Sequence, residues 1–189
     1  MKHEAFVEGL TKILLKRHLI SKSDADSLVV AFKGSQKEYF DDFLLSEGLI
    51  EKDDLLPALA EYYQVPAVDV VGYFFDHSLL LMFPKNFLFN SAVIPMERDE
   101  NMLVMVTSDP NDEDLIVQIG NYVSYDIHFN VGIRQDIMDA VEEYYAQSLT
   151  GPDFEEDLSQ TREAREGEIE RREVARGHPW STLSEGAAL

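Results

Sequence analysis

One stretch of this chain limits its fold more than any other: Val93-Ile94-Pro95-Met96, the charged turn Arg98 to Asn101, the apolar run Met102 to Val106, and then Ser108-Asp109-Pro110. Short β-branched and apolar runs on either side of a polar turn read as a strand hairpin. Asp109-Pro110 ends the second strand, and Asp109 or Asn111 is placed to cap a helix over residues 111–120 carrying Leu115, Ile116 and Ile119. A buried strand that leads into a capped helix is an α/β unit. A further strand is expected where Tyr125, Ile127, Phe129 and Val131 alternate with Asp126, His128 and Asn130. A closing helix from Arg134 to Tyr145 follows, with Ile137, Ala140, Val141 and Tyr144 inward.

The first 64 residues have a different character. Phe6, Leu10, Ile13, Leu14 and Leu15 follow helical spacing, and His18-Leu19-Ile20 closes that helix. Ser21 to Asp24 is a capping cluster for a second helix, with Ala25, Leu28, Val29 and Phe32 on its inner face. Phe40, Phe43, Leu44 and Leu45 begin another pair. Gly48 fits a left-handed helix end, and Pro57 is read as lying in the first turn of the next helix. The two halves align at an offset of thirty: Leu14-Leu15 with Leu44-Leu45, Leu19-Ile20 with Leu49-Ile50, Lys22 with Lys52, Val29 with Leu59. This is a tandem helix-turn-helix repeat. Between repeat and hairpin lie an extended segment, Val65 to Val71, a short helix from Asp76 to Met82, and another opening at Pro84-Lys85-Asn86. Tyr73-Phe74-Phe75 is read as core rather than as an exposed docking patch.

The expected fold is therefore α+β: a helical bundle of two helix-turn-helix repeats over residues 1–64, then a small α/β part with a few-stranded sheet over 65–148. Residues 149–189 read as a charged helical or disordered tail. From 153 onward there are 10 acidic and 5 basic residues and very few large apolar ones.

Charge narrows the functional classes. With 16 basic and 36 acidic residues, the net charge is −20. Phosphate backbones are bound by basic footprints, so a nucleic-acid partner is not expected. With no cysteine, disulfides, Cys-zinc sites and thiol chemistry are excluded. No window approaches the roughly 18 consecutive apolar residues of a membrane span, and the N-terminus lacks a signal-peptide pattern, so a cytoplasmic protein without direct membrane insertion is expected. His3, His18, His77, His128 and His178 form no close ligand pair, so no metal is expected. The carboxylate pairs Asp24/Asp26, Asp41/Asp42, Asp53/Asp54 and Asp112/Asp114 sit at helix starts or solvent faces and are read as caps or surface. Ser108 lacks a nucleophile elbow. No catalytic residue is expected.

The order of elements resembles the N-terminal regulatory domain of the type II secretion and type IV pilus assembly ATPases, over roughly residues 5–146. The residues that carry the resemblance are the helical repeat, Pro66-Ala67-Val68-Asp69, the helix opening at Pro84, Val93-Ile94-Pro95, Met102 to Val106, Ser108-Asp109-Pro110 and the helix ending at Tyr145. The GxxxxGK[ST] phosphate loop of the ATPase domain is absent; Lys33-Gly34-Ser35 has the wrong order. The resemblance thus implies a non-enzymatic regulatory module that works through protein contacts. Its implied partners are the cytoplasmic domain of an inner-membrane platform protein or an assembly ATPase.

Some domains of that family bind cyclic di-GMP through the tandem repeat, so the resemblance also implies an alternative reading as a cyclic dinucleotide sensor. The second repeat keeps Leu44, Leu45, Gly48, Leu49, Ile50, Leu55 and Leu59, but has Tyr39-Phe40-Asp41 in place of Arg-Leu-Gly and Tyr62 in place of Gln. The first has Gly9-Leu10-Thr11, with His18 for the glycine and Phe32 for the Gln. The implied ligand positions are Leu10, Leu14, Leu19, Tyr39, Leu44, Gly48, Leu49, Leu55, Leu59 and Tyr62. The arginine that would grip phosphate is missing from both repeats. Weak binding or none is the expectation.

Overall fold

In a computed structural model of the chain, which describes residues 2–148, the offset of thirty appears as repeated geometry. Helix α1 (Lys2–Lys16) ends with His18 in the left-handed region, φ 60°, and α3 (Phe40–Ser46) ends with Gly48 at φ 64°. The same pair of bonds closes each helix. His18 N–H donates to Leu15 C=O at 3.1 Å and Leu19 N–H to Leu14 C=O at 3.0 Å; Gly48 and Leu49 do the same to Leu45 and Leu44 at 3.0 and 2.9 Å. The next helices start at matching positions, α2 (Lys22–Gly34) and α4 (Lys52–Tyr63). Ser21 caps α2 in a capping box with Asp24. Pro57 is the sixth residue of α4, beyond its first turn, contrary to the sequence reading.

Two short helices follow, α5 (His77–Leu80), capped by Asp76, and α6 (Lys85–Asn90). Then β1 (Val93–Asp99) and β2 (Met102–Thr107) form an antiparallel hairpin, Val93 opposite Thr107 and Asp99 opposite Met102, with a register shift between Pro95 and Glu97. Helix α7 (Glu113–Gly120) crosses over to β3 (Asp126–Val131), which lies parallel to β2, Met102 opposite Asp126 and Thr107 opposite Val131. The α7 cap is Asp112, whose side chain accepts from Asp114 N–H; Asp109 instead accepts from Asn111 N–H in an Asx turn. Helix α8 (Arg134–Ser148) follows. The sheet order is β1-β2-β3, and the α+β expectation holds.

Up to Tyr144 the described residues make one compact unit. Leu10, Leu14, Phe40, Leu44, Leu55 and Leu59 form the helical core, and Val131, the last residue of β3, belongs to the same cluster. The repeat thus sits over the carboxyl ends of the parallel strands. Each such buried leucine contributes about 1.5–3 kcal/mol through removal of apolar surface from water. Ile94, Leu103, Met105, Val106, Ile119, Ile137 and Val141 bury fully under the sheet and its helices. Phe74 is 97% exposed, while Tyr73 and Phe75 are half-buried and pack on each other; the core reading fails for Phe74. The charged tail, and His178 with it, lies outside the described residues.

Candidate functional site

A crevice of about 350 Å³ opens where the repeat meets the end of β2. Open α/β sheets bind ligands beyond the carboxyl ends of their strands. Thr107, Ser108 and Asp109 supply one wall; Tyr39 and Asp41, at the start of α3, supply another; Arg134, opening α8, supplies the third. The guanidinium of Arg134 lies over the Tyr39 ring, 4.1 Å from its centroid, and Nη1 is 3.5 Å from the Ser108 hydroxyl. Phe6 and Tyr63 close the floor, stacked at 5.8 Å.

Asp41 is the chemically unusual member. The sequence placed it at a capping or surface position, but it is only 6% exposed. Burial, reinforced by the Asp42 charge, pushes its carboxyl up to about 6, against the pull of backbone donors and Arg134. Burial also raises Asp42, with Arg134 and Lys37 opposing. Tyr63 is raised strongly by burial, then by Asp109 and Asp41. The crevice therefore offers one guanidinium, hydroxyls, aromatic faces and a carboxyl that titrates near neutrality.

Below it, Lys52 ties the repeat to the α/β part. Its Nζ lies 2.9 Å from Asp69 Oδ1 and 2.7 Å from Asp136 Oδ2. The Asp136 contact is an ion pair rather than an aligned hydrogen bond, because that oxygen has no partner with hydrogen-bond geometry. Desolvation works to lower the Lys52 pKa, but the two carboxylates outweigh it and raise the value.

The ten residues singled out from the sequence separate into groups. Leu10, Leu14, Leu44, Leu55 and Leu59 are buried in the helical core, closed to solvent. Leu19 is half-buried against that core. Gly48 and Leu49 lie on the surface at the end of α3, with Leu49 43% exposed. Tyr62 packs edge-on to Phe6 and sits over Gly9, where an added Cβ would come within 2.4 Å of its ring. Only Tyr39 lines the crevice. Sequence reasoning missed Arg134 and Asp41. Asp41 carried a signal, since it stands three residues before Leu44 and four before Leu45, on the apolar stripe of α3. Among the described residues, no group of three His, Asp or Glu side chains is placed to hold a metal ion, and no helix is long and apolar enough to cross a membrane.

Comparison with known proteins places this arrangement. Residues 63–151 match the MshEN domain. A 113-residue stretch is 26% identical to the type IV pilus assembly ATPase PilB of Myxococcus xanthus (strain DK1622), covering 60% of this chain and 20% of PilB, so the matched region spans about a fifth of that relative. Among solved structures, MshE with cdg superposes with a TM-score of 0.60 at 21% identity, over 72% of this chain and 98% of that one. The N-terminal domain of XpsE superposes with a TM-score of 0.52 at 22% identity, over 70% and 91%. The resemblance drawn from the element order is borne out: residues 63–151 match the MshEN domain, and the solved structures of MshE and of the XpsE N-terminal domain share the α+β fold.

Proposed function

We propose that this chain is a non-enzymatic regulatory and protein-interaction module of a type IV pilus or type II secretion assembly system, acting in the cytoplasm. The observation that carries the reading is the match of residues 63–151 to the MshEN domain, in a sequence without a phosphate-loop motif. The proposed partner is an assembly ATPase or the cytoplasmic domain of an inner-membrane platform protein. The crevice supports a binding role over a catalytic one: it has a carboxyl and a guanidinium, but neither a nucleophile–base pair nor a metal cluster among the described residues. Titration of the purified chain with each partner from the same genome tests the proposal. Saturable binding to one of them, with no ATP turnover that copurifies with the chain, is expected. ATP hydrolysis that follows the protein through chromatography would refute it.

A second reading, cyclic di-GMP sensing, rests on Arg134. Neither repeat has arginine at the motif position, yet α8 brings a guanidinium onto Tyr39, the residue that stands there in the second repeat. MshE, solved with cdg, has the same fold. Against this reading, Asp41 and Asp42 stand beside that guanidinium, and each lost charge-assisted contact to phosphate costs about 1.5–3 kcal/mol. Binding weaker than about 10 µM is expected. Low-micromolar saturation that Arg134→Ala abolishes in a folded protein would make sensing the primary function.

A further inference from the structure

The two edges of the sheet differ. Edge strand β1 carries the usual protections against foreign pairing: Pro95, a register shift beside it, and the charged end Glu97-Arg98-Asp99. Edge strand β3, Asp-Ile-His-Phe-Asn-Val, has no proline, lysine or bulge.

The hydrogen-bond phase of β3 identifies its outward groups. Asp126 N–H donates to Asn101 C=O and Gly132 N–H to Thr107 C=O, so the even-numbered residues bond to β2. The odd-numbered ones face outward. Val131 does so and is satisfied: its N–H donates to Pro66 C=O, and its C=O accepts from Val68 N–H. That short parallel bridge at Ala67 is the only strand pairing on this edge among the described residues. It extends no further because the bridging segment begins only where the chain leaves α4, at the C-cap Gln64, itself left-handed at φ 59°. Ile127 and Phe129 therefore present two N–H and two C=O groups outward with no partner in the described fold. An open row of this kind accepts an extended chain.

Charge selects the occupant. The register aligns Asp99, Met102 and Asp126 in one cross-strand row and Glu97, Val104 and His128 in the next, on one face of the sheet. Glu97, Asp99 and Asp126 are exposed carboxylates, and neither row holds a lysine or arginine. The opposite face continues through half-buried Ile127 and Phe129 to buried Leu103 and Met105. A strand laid along β3 would thus place alternate side chains beside Asp126, His128 and Asn130, with Glu97 and Asp99 farther off on the same acidic face, and the others beside Ile127 and Phe129. A second copy would bring another −20 charge and another Asp126 to the same edge. We propose that the outer edge of β3, from Asp126 to Asn130, is a strand-addition site for an extended partner segment in which apolar and basic residues alternate.

The test uses the full chain and an acetylated, amidated Lys-Val-Lys-Val-Lys-Val-Lys peptide. Three peptides are compared: this one, the same peptide with alternate backbone amides N-methylated, and a Glu-Val version. Binding is followed by titration and by amide hydrogen exchange. Saturable binding is expected, with slowed exchange at the Ile127 and Phe129 amides. N-methylation keeps the charge but removes the edge bonds, and should weaken binding at least about ten-fold, as should the Glu-Val peptide. Equal affinity for the N-methylated peptide would mean general charge attraction and would overturn the proposal. So would protection mapping elsewhere, or no saturation. Protection of Ile127 and Phe129 in the chain alone also overturns it. If that protection rises with protein concentration, the occupant is a second copy; if it persists on dilution, the edge is already covered.

Discussion

The Arg134 guanidinium rests 4.1 Å from the centroid of the Tyr39 ring, joining the first residue of the last helix to the N-cap of the third. Tyr39 offers no side-chain cap to α3, and its ring is the platform for the guanidinium. With Lys52 between Asp69 and Asp136, this makes two cationic ties from the helical repeat to the α/β part.

Arg134→Met should remove the first tie. Half-buried cation–π pairs are worth roughly 1 kcal/mol, which for a chain of this size is a fall in Tm of about 2–4 °C. Tyr39→Leu should cost about the same, and the double variant little more than either. A thermal-melt double-mutant cycle checks this. Additive losses would show that the two side chains stabilise the fold separately.

Asp41 should give the protein an unusual pH dependence. Its carboxyl is raised from 3.8 to about 6 in the folded state, first by burial and then by Asp42. The native state therefore binds the proton more tightly than the unfolded chain between these values, and stability falls as pH rises through that window. The Asp41 contribution is fully present below about pH 4 and lost above about pH 6, at most about 3 kcal/mol for a shift of this size. Carboxylates with lowered values act in the opposite sense. Glu61 is lowered by its bonds to Lys16 and Arg17, and Asp76 by its bonds to Ser78; both favour the native state as pH rises. Asp41→Asn isolates the term. It should raise Tm relative to the parent at pH 7.5 and leave the two nearly equal at pH 4. A gain of the same size at both pH values would show that Asp41 is not the titrating group.

Gly132 lies where β3 leads into α8. An added Cβ there would meet Val106 Cγ1 at 2.7 Å, Ile137 Cδ1 at 3.2 Å and the Val68 carbonyl at 3.3 Å. Two of those neighbours are fully buried, and the third is backbone on the strand bridging to Val131. Gly132→Ala should cost about 1–3 kcal/mol through overpacking, whereas Gly34→Ala, with open space around it, should be neutral or slightly stabilising. Chemical denaturation of the two variants checks the contrast; equal midpoints would mean that the β3–α8 junction yields easily.

Local signals were legible where one element decides its own structure. The capping cluster at Ser21, the alternation of β3, and the helix starts at Pro84 and Arg134 could be read from neighbouring residues. What escaped depends on pieces far apart in sequence. Asp41 next to Asp42 reads as first-turn acidity, and its burial follows only when Phe6, Tyr63 and Arg134 close over it. Arg134 looks like an ordinary helix-start residue. Its one sequence signal is rarity, since Lys52, Lys85, Arg98 and Arg134 are the only lysines and arginines between residues 38 and 148. Three of these, Lys52, Arg98 and Arg134, bridge separate elements.

The repeat makes the last prediction symmetrical. His18 and Gly48 occupy equivalent ends, at φ 60° and 64°, with the same closing bonds. Glycine enters the left-handed region without a Cβ penalty; a histidine there is strained by about 1 kcal/mol. His18→Gly should therefore stabilise the protein by up to about 1 kcal/mol, less the added entropy of the unfolded chain. The reverse change, Gly48→Ala, meets no atom within 4 Å, so its cost is purely one of backbone conformation, again about 1 kcal/mol. Urea denaturation at neutral pH should give midpoints that move in opposite directions, with the m-value unchanged. If His18→Gly lowers the midpoint, the imidazole makes a contact worth more than the backbone strain, and the first repeat ends by a different mechanism from the second.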